Sequence, residues 1–588
     1  MINSDSQHIL SCDRHLSEFL MRISSSPDGD LGKLFECLSY SARNGNICLE
    51  LIADDDADFN KSIENFLESH AVLPLYVSGN LEKKLASLKM LEKKDESSPL
   101  VYENNRLYIK RFNEYEKKIA EALLIRSKNP WSFNKRDEVN RIVENIFSDE
   151  KDEDQKHSAV LSIDKKLSFI TGGPGTGKTT TVVKIIALHL IENQNLRISM
   201  AAPTGKAALR LQQSINNAKL YLKKSGTISD EIINKIPSHV ETLHRLLGFT
   251  GRKYLLNKEN PLLSELVIID EASMVDINMF YRLLQAMRED SGLIILGDHF
   301  QLASVEAGSI LGDICTSNAA DQKKVSALKD NISELKINRR FAGESGIAVL
   351  SDVLKNETGE NRIRRTLSLL KTNFVGDLNY YQSAGFNEKF NLIIKEYFST
   401  VAGAKNPEEA LSLLSKFRIL TPHRKGLKGV EMINQYITDY LYRNKILFKS
   451  GSYFHGMPVM VLKNDYSLNL FNGDTGILWD AGEGLRAYFD SPESDGSLRS
   501  IMPEMISSFE ACFAMTVHKS QGSEFDTVLL IMPDASSPVL TVELFYTALT
   551  RSKTRFMVSG HDDIITETVS KKIFRASGLR DSLLIDEK

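Results

Sequence analysis

The sequence predicts an α/β protein in which two α/β domains follow each other along the chain. Short apolar runs such as ELVIIDE and SGLIILGD alternate with helical segments from about residue 155 to about residue 330. The alternation resumes after about residue 331 with ISELKI, FRILTP and DTVLLIMP. Apolar runs of this length between helices indicate parallel sheets that are covered by helices on both faces.

Two further regions complete the predicted organisation. A stretch punctuated by glycine and aspartate interrupts the second alternation and predicts a small β-rich insert. Mixed helical and strand-like patterns before the first α/β domain predict an α+β domain followed by two amphipathic helices. The chain has 588 residues, 42% of them hydrophobic, which is enough for several cores. The predicted domains are an N-terminal domain at 1–110, a helical linker at 111–154, the first α/β domain at 155–330, the second at 331–455 and 511–588, and the insert at 456–510.

Composition and charge exclude several classes of protein. The formal net charge is −4, so a nucleic acid would have to meet a local basic lining rather than a generally cationic surface. The five cysteines are scattered without a CxxC pair, which is typical of a reduced cytoplasmic protein without structural zinc or an iron–sulfur cluster. The N-terminus lacks the apolar segment of a signal peptide, and no apolar run approaches the roughly 20 residues that span a bilayer. We therefore expect a cytoplasmic protein without a membrane segment.

A glycine-rich loop predicts a nucleotide site at the start of the first α/β domain. The string GGPGTGKT follows a predicted strand and precedes a predicted helix, the context in which GxxxxGK[ST] binds phosphates. Its glycines let backbone N–H groups converge on phosphate oxygens, and the helix adds its positive dipole end. The motif predicts that Lys178 reaches the phosphates of ATP and that Thr179 binds Mg²⁺. The predicted ATP-binding residues of the loop are Gly172, Gly173, Pro174, Gly175, Thr176, Gly177, Lys178, Thr179 and Thr180.

Two adjacent acids predict hydrolysis of the nucleotide. Asp270 and Glu271 directly follow the apolar run LVII, so their side chains leave the end of a buried strand in different directions. This arrangement suits Asp270 to the Mg²⁺ shell and Glu271 to activation of the attacking water. Two adjacent acids are usually solvated surface residues. Here they follow a buried strand and a phosphate-binding loop, so we interpret them as part of the nucleotide site. A general base beside the γ-phosphate indicates hydrolysis rather than phosphate transfer to a metabolite.

Three further side chains are candidates for sensing and stabilising the γ-phosphate. Gln301 lies just past the apolar run GLIILGD, where its side chain can report the loss of the γ-phosphate. Arg340 and Arg551 both fall in the second predicted α/β domain. An arginine that stabilises the charge developing on the γ-phosphate raises the rate by about 10³–10⁵-fold. Taken singly, each arginine is more often a surface ion-pair partner. Together, arginines from a second domain would make closure of the interdomain cleft depend on ATP.

The order of these and other motifs resembles that of superfamily 1 helicases. The motifs are GGPGTGKTTT, APTGKAA, TLHRLLG, VIIDEASMVD, ILGDHFQLASVEAG, NRRF, NGDTGI, TVHKSQGSEFDTVLL and FYTALTRSK. They span about residues 155–560 and are similar in particular to the RecD/Pif1-like branch, which moves 5′ to 3′ along DNA. Within that branch, GNICLEL, NNRLYIKRF, GDHFQLASVEAGSILGDI and the modest length resemble the RecD family.

The resemblance implies two tandem RecA-like P-loop domains, a short strand-separating hairpin at about 249–263 and an SH3-like insert that helps enclose a single strand. It assigns Gln155 to the adenine edge of ATP. It also implies that Gln521, Gly522 and Glu524 link the DNA site to the nucleotide. The residues that it implies for DNA binding are Thr204, Thr242, His244, Thr516, His518 and Lys519. Both halves would grip the phosphate backbone, and ATP-driven closure of the cleft would move the chain along one strand.

The resemblance also implies partners. Proteins of the RecD family act with RecB and RecC chains in a heterotrimer, exodeoxyribonuclease V, that processes double-strand DNA ends for recombinational repair. Single-stranded DNA and end-containing double-stranded DNA are the implied substrates, and residues 1–110 would dock on RecC. Beyond the ATPase acids, the sequence shows no constellation of metal-binding acids with a lysine, so we expect no nuclease site in this chain.

Three other interpretations stay open at this point. A stand-alone Pif1-like or RecD2-like helicase would share every motif, and co-purification with two large partner chains would distinguish it. An ATP-gated assembly factor is less consistent with Arg551, because assembly ATPases usually take their arginine from a neighbouring subunit. An inactive paralogue is disfavoured by the intact Lys178, Asp270, Glu271 and arginines.

Overall fold

The computed structural model describes most of the chain. The described residues are 8–24, 28–88, 91, 98–316, 324–340, 345–372, 376–383, 385–446, 453–465, 467–482, 484–492 and 498–586. Every predicted domain except the linker 111–154 includes residues outside these ranges. No helix within them is long and apolar enough to cross a membrane.

The N-terminal domain packs helices against a mixed four-stranded sheet. Its elements are α1 Ser11–Ser24, α2 Gly29–Arg43, β1 Cys48–Ala53, α3 Phe59–Glu68, β2 Leu75–Val77, α4 Gly79–Ala86, β3 Leu100–Glu103 and β4 Arg106–Ile109. The sheet has the order β2-β1-β4-β3. Side-chain oxygens of Asp28, Asp58 and Ser78 accept backbone N–H bonds in the first turns of α2, α3 and α4. These residue types favour helix starts, so the local sequence fixes where the three helices begin.

The linker packs as part of the first α/β domain. Its helices are α5 Lys110–Ser127, α6 Arg136–Ile146 and α7 Glu153–Asp164. Helix α5 follows β4 directly, and its Leu123 belongs to the same buried cluster as Ile47 of the N-terminal domain and Val267 of the first α/β domain. The N-terminal domain is therefore joined to the first α/β domain by a continuous apolar core.

The first α/β domain is a parallel six-stranded sheet between two layers of helices. Its elements are β5 Leu167–Gly172, α8 Lys178–Glu192, β6 Ile198–Ala202, α9 Gly205–Ser225, α10 Asp230–Lys235, β7 Glu241–Thr242, α11 Leu243–Leu246, β8 Leu266–Ile269, α12 Ile277–Ala286, β9 Gly292–Gly297, α13 Ile310–Cys315, β10 Lys324–Ser326 and β11 Ile332–Leu335. The order is β11-β5-β9-β8-β6-β7. Every residue of β5, β8 and β9 is buried, as expected for central strands covered on both faces.

Strand β11 corrects a predicted domain boundary. The sequence pattern places the ISELKI run in the second α/β domain, but β11 pairs in parallel with β5 at the edge of the first sheet, with Ser333 opposite Ile170. The boundary predicted between residues 330 and 331 is therefore wrong. An apolar run predicts a strand, but it does not reveal which sheet edge receives that strand.

The second α/β domain has a parallel five-stranded sheet of order β12-β21-β20-β13-β19. Its elements are α14 Gly346–Asn356, α15 Gly359–Thr372, β12 Leu378–Gln382, α16 Phe386–Ala402, α17 Pro407–Lys416, β13 Phe417–Thr421, α18 Val430–Arg443, β19 Ala514–Thr516, β20 Phe525–Ile531, α19 Val542–Leu549, β21 Ser552–Gly560 and α20 Asp562–Ser570. The two parallel sheets confirm the predicted α/β fold class with two tandem domains.

The insert is an antiparallel five-stranded sheet between β13 and β19. Its strands are β14 Met457–Val461, β15 Thr475–Asp480, β16 Leu485–Pro492, β17 Leu498–Ile501 and β18 Phe509–Ala511, in the order β17-β16-β15-β14-β18. Val459 and Trp479 of the insert share a buried cluster with Phe417 and Phe513 of the second α/β domain. The insert is thus anchored to that domain by apolar packing.

The C-terminal tail returns to the first half of the molecule. It contains α21 Leu579–Ser582 and β22 Leu584–Asp586, and β22 pairs with β10. Both guanidinium Nη atoms of Arg575 donate to backbone carbonyls of the loop 304–308. The carboxylate of Glu116 accepts from the backbone N–H groups of Gly578 and Leu579. The prediction that residues up to 588 belong to the second α/β domain is therefore wrong for the tail, whose charged sequence gives no indication of its docking site.

Candidate active site and DNA interface

The phosphate-binding loop connects β5 to α8, and two of its glycines adopt backbone angles that favour glycine. The φ angles of Gly175 and Gly177 are 82° and 89°. A Cβ on Gly177 would lie 2.4 Å from Nε2 of Gln155, and one on Gly175 would lie 2.5 Å from Cβ of Arg340. Side chains at these two positions would therefore clash with Gln155 and Arg340, and the left-handed φ angles would be strained for them.

The predicted adenine-reading glutamine contacts this loop. Gln155 lies in the first turn of α7, is only 3% exposed, and donates from Nε2 to the carbonyl oxygen of Thr176 at 3.1 Å. Lys178 Nζ donates to the carbonyl oxygens of Gly172 and Gly173 at 2.6 and 3.1 Å. The amide of Gln155 and the ammonium of Lys178 are therefore both held by loop carbonyls. The adenine contact of Gln155 stays a prediction.

The paired acids lie at the carboxyl end of β8. Glu271 has a left-handed φ of 52°, and its N–H donates to Oδ1 of Asp270 at 2.8 Å. Burial and the neighbouring Glu271 charge raise the pKa of Asp270 to about 6, whereas the Lys178 ammonium acts in the opposite direction. Carboxylate oxygens beside the Thr179 hydroxyl form the hard donor set that Mg²⁺ prefers. The residues present therefore fit a magnesium site.

The second α/β domain delivers Arg551 to Gln301. Arg551 is 1% exposed, and its Nη2 donates to Oε1 of Gln301 at 3.0 Å. Its Nη1 donates to the carbonyl oxygen of Ser523 at 3.2 Å. The guanidinium is thus held on the second domain while it contacts the candidate phosphate sensor of the first.

Arg340 reaches the cleft by a different route from the predicted one. It follows β11 of the first sheet, and its segment is bonded to the phosphate-binding loop. The Arg339 N–H donates to the carbonyl oxygen of Gly175 at 2.9 Å, and Asn338 Nδ2 donates to that of Pro174 at 3.0 Å. The prediction that Arg340 belongs to the second α/β domain is therefore wrong. The cause is the error in placing β11, because the sequence pattern does not reveal which sheet receives that strand.

An ion-pair cluster at the cleft includes a residue that the sequence analysis missed. Arg210 of α9 and Arg340 both form ion pairs with the carboxylate of Glu524. Burial acts to raise the pKa of Glu524, but the charges of Arg210, Arg340 and Arg551 outweigh it and hold this pKa at about 2. Arg210 lies two residues beyond the APTGKAA motif in α9. That spacing is the signal that could have identified it.

One cavity of about 230 Å³ brings most of the candidate ATPase residues together. Both α/β domains line it, so it is the cleft between them. The predicted residues in its lining are Pro174, Gly175, Gly177, Lys178, Thr179, Thr180, Asp270, Glu271, Gln301, Arg340 and Arg551. Arg210, Gly522 and Glu524 line it as well. Gly173 and Thr176 line a neighbouring cavity of about 300 Å³.

A hydrogen-bonded chain extends from Gln301 into the second domain. Gln301 Nε2 and the Tyr546 hydroxyl both donate to Oδ2 of Asp298, at 3.2 and 2.9 Å. The Leu302 N–H donates to Oγ1 of Thr547, and Gln521 Nε2 donates to the carbonyl oxygen of Leu302, both at 2.9 Å. Movement of the Gln301 loop is therefore coupled by direct bonds to α19 and to the turn before β20.

The three candidate DNA-binding threonines all cap turns. Thr204, Thr242 and Thr516 follow or end β6, β7 and β19, and each hydroxyl accepts a backbone N–H three residues further on, at 3.2–3.3 Å. Backbone N–H groups in such first turns bind anions readily. The two sheets therefore present a similar backbone arrangement at three strand ends.

The candidate DNA-binding histidines have aromatic or buried surroundings. The His244 ring packs against Phe249 and Tyr254, with centroids 5.5 and 6.1 Å apart. Phe249 and Tyr254 form an antiparallel bridge at the base of the predicted hairpin 249–263. Burial lowers the pKa of both His244 and His518. A DNA contact by either ring stays a prediction.

Within the described part of the chain, no group of three or more His, Cys, Asp or Glu side chains is arranged to hold a metal ion.

The fold and the cleft define a class of protein, a P-loop ATPase with two α/β domains of the helicase type. Family models match in three segments: the AAA domain at 155–307, the UvrD-like helicase C-terminal domain at 511–559, and the N-terminal domain of RecBCD enzyme subunit RecD at 5–108. RecBCD enzyme subunit RecD of Mycolicibacterium smegmatis is 34% identical over 73% of this chain and 75% of its own length.

The Haemophilus influenzae RecD subunit is 30% identical over 82% of this chain and 81% of its own length. The ATP-dependent RecD2 DNA helicase of Deinococcus radiodurans is 29% identical over 67% of this chain and 47% of its own length. A solved Pif1 helicase from Bacteroides has a TM-score of 0.39 and 22% identity over 72% of this chain and 94% of its own. The chain belongs to the RecD family, which confirms the resemblance found in its motifs.

Proposed function

We propose that this chain is an ATP-dependent 5′-to-3′ single-stranded DNA translocase and helicase. It acts as a motor subunit with RecB and RecC chains in an exodeoxyribonuclease V that processes double-strand DNA ends. The observation that carries the proposal is the cleft, in which the phosphate-binding loop and acids of one sheet meet Arg551 and Glu524 of the other. We also propose that the chain acts in the cytoplasm, which its membership of the RecD family supports.

Each cleft residue has a role in this proposal. Lys178 binds the β- and γ-phosphates of ATP, and Glu271 takes the proton of the attacking water. Arg340 and Arg551 stabilise the charge that develops on the γ-phosphate. Thr179 and Asp270 would hold Mg²⁺, which supplies charge neutralisation of the phosphates when bound. Gln155 would contact the adenine edge.

Translocation follows from the two-domain construction. Gln301 contacts the γ-phosphate, and its bonds to Arg551 and through Asp298 to Tyr546 connect that contact to the second domain. Thr204 and Thr242 on one side and Thr516 with Lys519 on the other bind successive phosphates of one strand. Phosphates carry no base identity, so movement is largely independent of sequence. Closure and opening of the cleft then move the phosphate-binding turns of the two domains along the strand alternately.

The N-terminal domain supports the role as a subunit. Its match to the RecD N-terminal domain model covers residues 5–108, the region that we propose docks on RecC. A stand-alone RecD2-like helicase is the second candidate. It ranks below the subunit role because this chain matches only 47% of the length of the RecD2 relative. An assembly factor is disfavoured, because Arg551 reaches the cleft from the same chain.

The test is DNA-stimulated ATP hydrolysis by the purified chain. Lys178→Gln removes the charge that contacts the phosphates, and Lys224→Gln, at the exposed far end of α9, is the matched control. We expect single-stranded DNA to stimulate hydrolysis strongly in the wild type and the control, and hydrolysis to be lost in Lys178→Gln. Unwinding from a 5′ tail, but not from a 3′ tail, then establishes polarity.

Co-purification completes the test. Stable association with RecB and RecC chains supports the subunit role, whereas robust unwinding without them supports the stand-alone alternative. ATP turnover that is indifferent to DNA, both alone and with the partner chains, would contradict the motor function.

A further inference from the structure

One loop of the insert reaches over the candidate DNA-binding face. The loop 469–474 precedes β15, and the Phe471 ring rests on the first turn of α9. A Cβ added to Gly205 would lie 2.6 Å from Cγ of Phe471. The guanidinium of Arg245, in α11, lies 4.8 Å from the centroid of the same ring. This loop therefore touches the turns that begin at Thr204 and Thr242.

Two cations of that face donate to amide oxygens of the loop. Lys519 Nζ donates to Oδ1 of Asn472 at 2.7 Å, and Arg245 Nη2 donates to Oδ1 of Asn469 at 3.4 Å. Lys519 lies in the turn that Thr516 caps. The loop thus contacts all three capped turns, two on the first α/β domain and one on the second.

The loop is held in shape by the insert itself. The Asp474 carboxylate accepts the Phe471 N–H at 2.7 Å, and Asn464 Oδ1 accepts the Asn472 N–H at 2.8 Å. Leu470 is fully buried in the insert core. These bonds do not involve the DNA-binding face, so they need not break if the loop leaves that face.

We propose that the loop 469–474 is an occluding loop that single-stranded DNA must displace. A stacked ring and oxygen atoms on cations are the contacts that a base and its phosphates would offer. Phe471 takes the place of a base, and the amide oxygens of Asn469 and Asn472 take the place of phosphate oxygens. The inference rests on the proposed function, because the three capped turns define the strand path.

The need to displace the loop lowers the apparent affinity for DNA. A binding-competent state that is only partly populated weakens apparent binding by that fraction. Substitutions that release the loop should therefore tighten DNA binding, whereas loss of a capping threonine on the proposed strand path should weaken it. The opposite signs distinguish an occluding loop from a clamp that holds the strand.

The experiment measures the dissociation constant of the full-length chain for a fluorescent oligothymidylate. We expect Phe471→Ala and Asn472→Ala each to tighten binding by about three- to tenfold, the effect of removing one stacking or charge-assisted contact. Thr204→Ala and Thr516→Ala, which remove no side chain that bonds to the loop, should weaken binding. Weaker or unchanged binding in both loop variants would overturn the occluding loop. Unchanged binding in both threonine variants would instead overturn the proposed strand path.

A second readout follows the loop directly. In the wild type, the rate of hydroxyl-radical oxidation of the Phe471 ring is measured by peptide mass spectrometry, with exposed Phe19 as the internal reference. We expect oligothymidylate to raise the oxidation rate of Phe471 relative to that of Phe19. A lowered or unchanged rate would show that the loop stays over the strand and would overturn the proposal.

Discussion

The two α/β domains share a parallel sheet but differ in the loops at the carboxyl ends of their strands. In the first domain the phosphate-binding loop follows β5, the paired acids follow β8, and Gln301 follows β9. The second domain contributes Arg551 from the end of α19 and Glu524 from the turn before β20. The phosphate-binding loop, the paired acids and the candidate phosphate sensor therefore belong to one domain, whereas Arg551 and Glu524 come from the other. The site that we propose for hydrolysis is thus complete only where the two domains meet.

Arg551→Ala tests this division most strongly. The substitution removes the second domain's only proposed contact with the γ-phosphate, so we expect kcat for ATP hydrolysis to fall by about 10³-fold. The KM for ATP should change far less, because the phosphate-binding loop is intact. Steady-state hydrolysis with saturating single-stranded DNA measures both, with exposed Arg555→Ala as the control. A kcat within tenfold of the wild type would mean that the first domain hydrolyses ATP without the second.

Glu524→Gln tests the ion-pair cluster between the domains. The carboxylate pairs with Arg210 and Arg340, and removal of one member of a buried ion pair costs about 3 kcal/mol. We expect the free energy of unfolding in urea at pH 7 to fall by about that amount. Glu431→Gln, whose partner Arg424 is exposed, should have little effect.

The difference in unfolding free energy between wild type and Glu524→Gln should also depend on pH, in a direction that the pKa of Glu524 fixes. The folded pKa of Glu524 is about 2, below its ordinary value of 4.5, so its contribution is present above pH 4.5 and is lost as pH falls toward 2. The difference in unfolding free energy between wild type and Glu524→Gln should shrink by about 2 kcal/mol between pH 6 and pH 3. A constant difference would mean that the carboxylate is not held by the arginines.

The buried ring of His189 predicts a second pH dependence, in mild acid. His189 lies in α8, and its ring packs against the rings of Trp131 and Phe133. Burial lowers the pKa of His189 from 6.5 to about 4. Because the unfolded chain binds a proton that the folded chain rejects, stability is lost as pH falls from 6.5 toward 4. We expect the wild type to lose about 2 kcal/mol more than His189→Gln between pH 7 and pH 5. Hydrogen exchange should show the loss in the first domain, and an equal loss in both domains would contradict it.

Tyr546→Phe should have the smallest effect. It removes one hydroxyl bond to Asp298, which typically contributes about 1 kcal/mol. We expect the stimulation of ATP hydrolysis by DNA to fall by about fivefold while basal hydrolysis is unchanged. Tyr380→Phe, whose hydroxyl bonds to Asp562 elsewhere in the second domain, is the control. Equal stimulation in the two variants would mean that Asp298 does not couple the domains.

The sequence predicted the fold class because buried parallel strands have a local signature. It also predicted most of the cleft, because Lys178, Asp270 and Gln301 each follow a recognisable apolar run. The placement of β11 and of Arg340 was missed, since pairing at a sheet edge depends on residues far away in sequence. Arg210 was missed for a related reason. An arginine in a helix is usually a surface residue, and the ion pair of Arg210 with Glu524 forms only because the second domain packs against α9.

The docking of the C-terminal tail on the first domain has a mechanical consequence. The second α/β domain is joined to the rest of the molecule at both of its ends, after β11 on one side and through Arg575 on the other. Two attachments allow fewer relative rotations than one, so the tail should limit the directions in which the cleft can open. We expect truncation before Arg575 to remove one attachment and to leave the second domain freer to rotate.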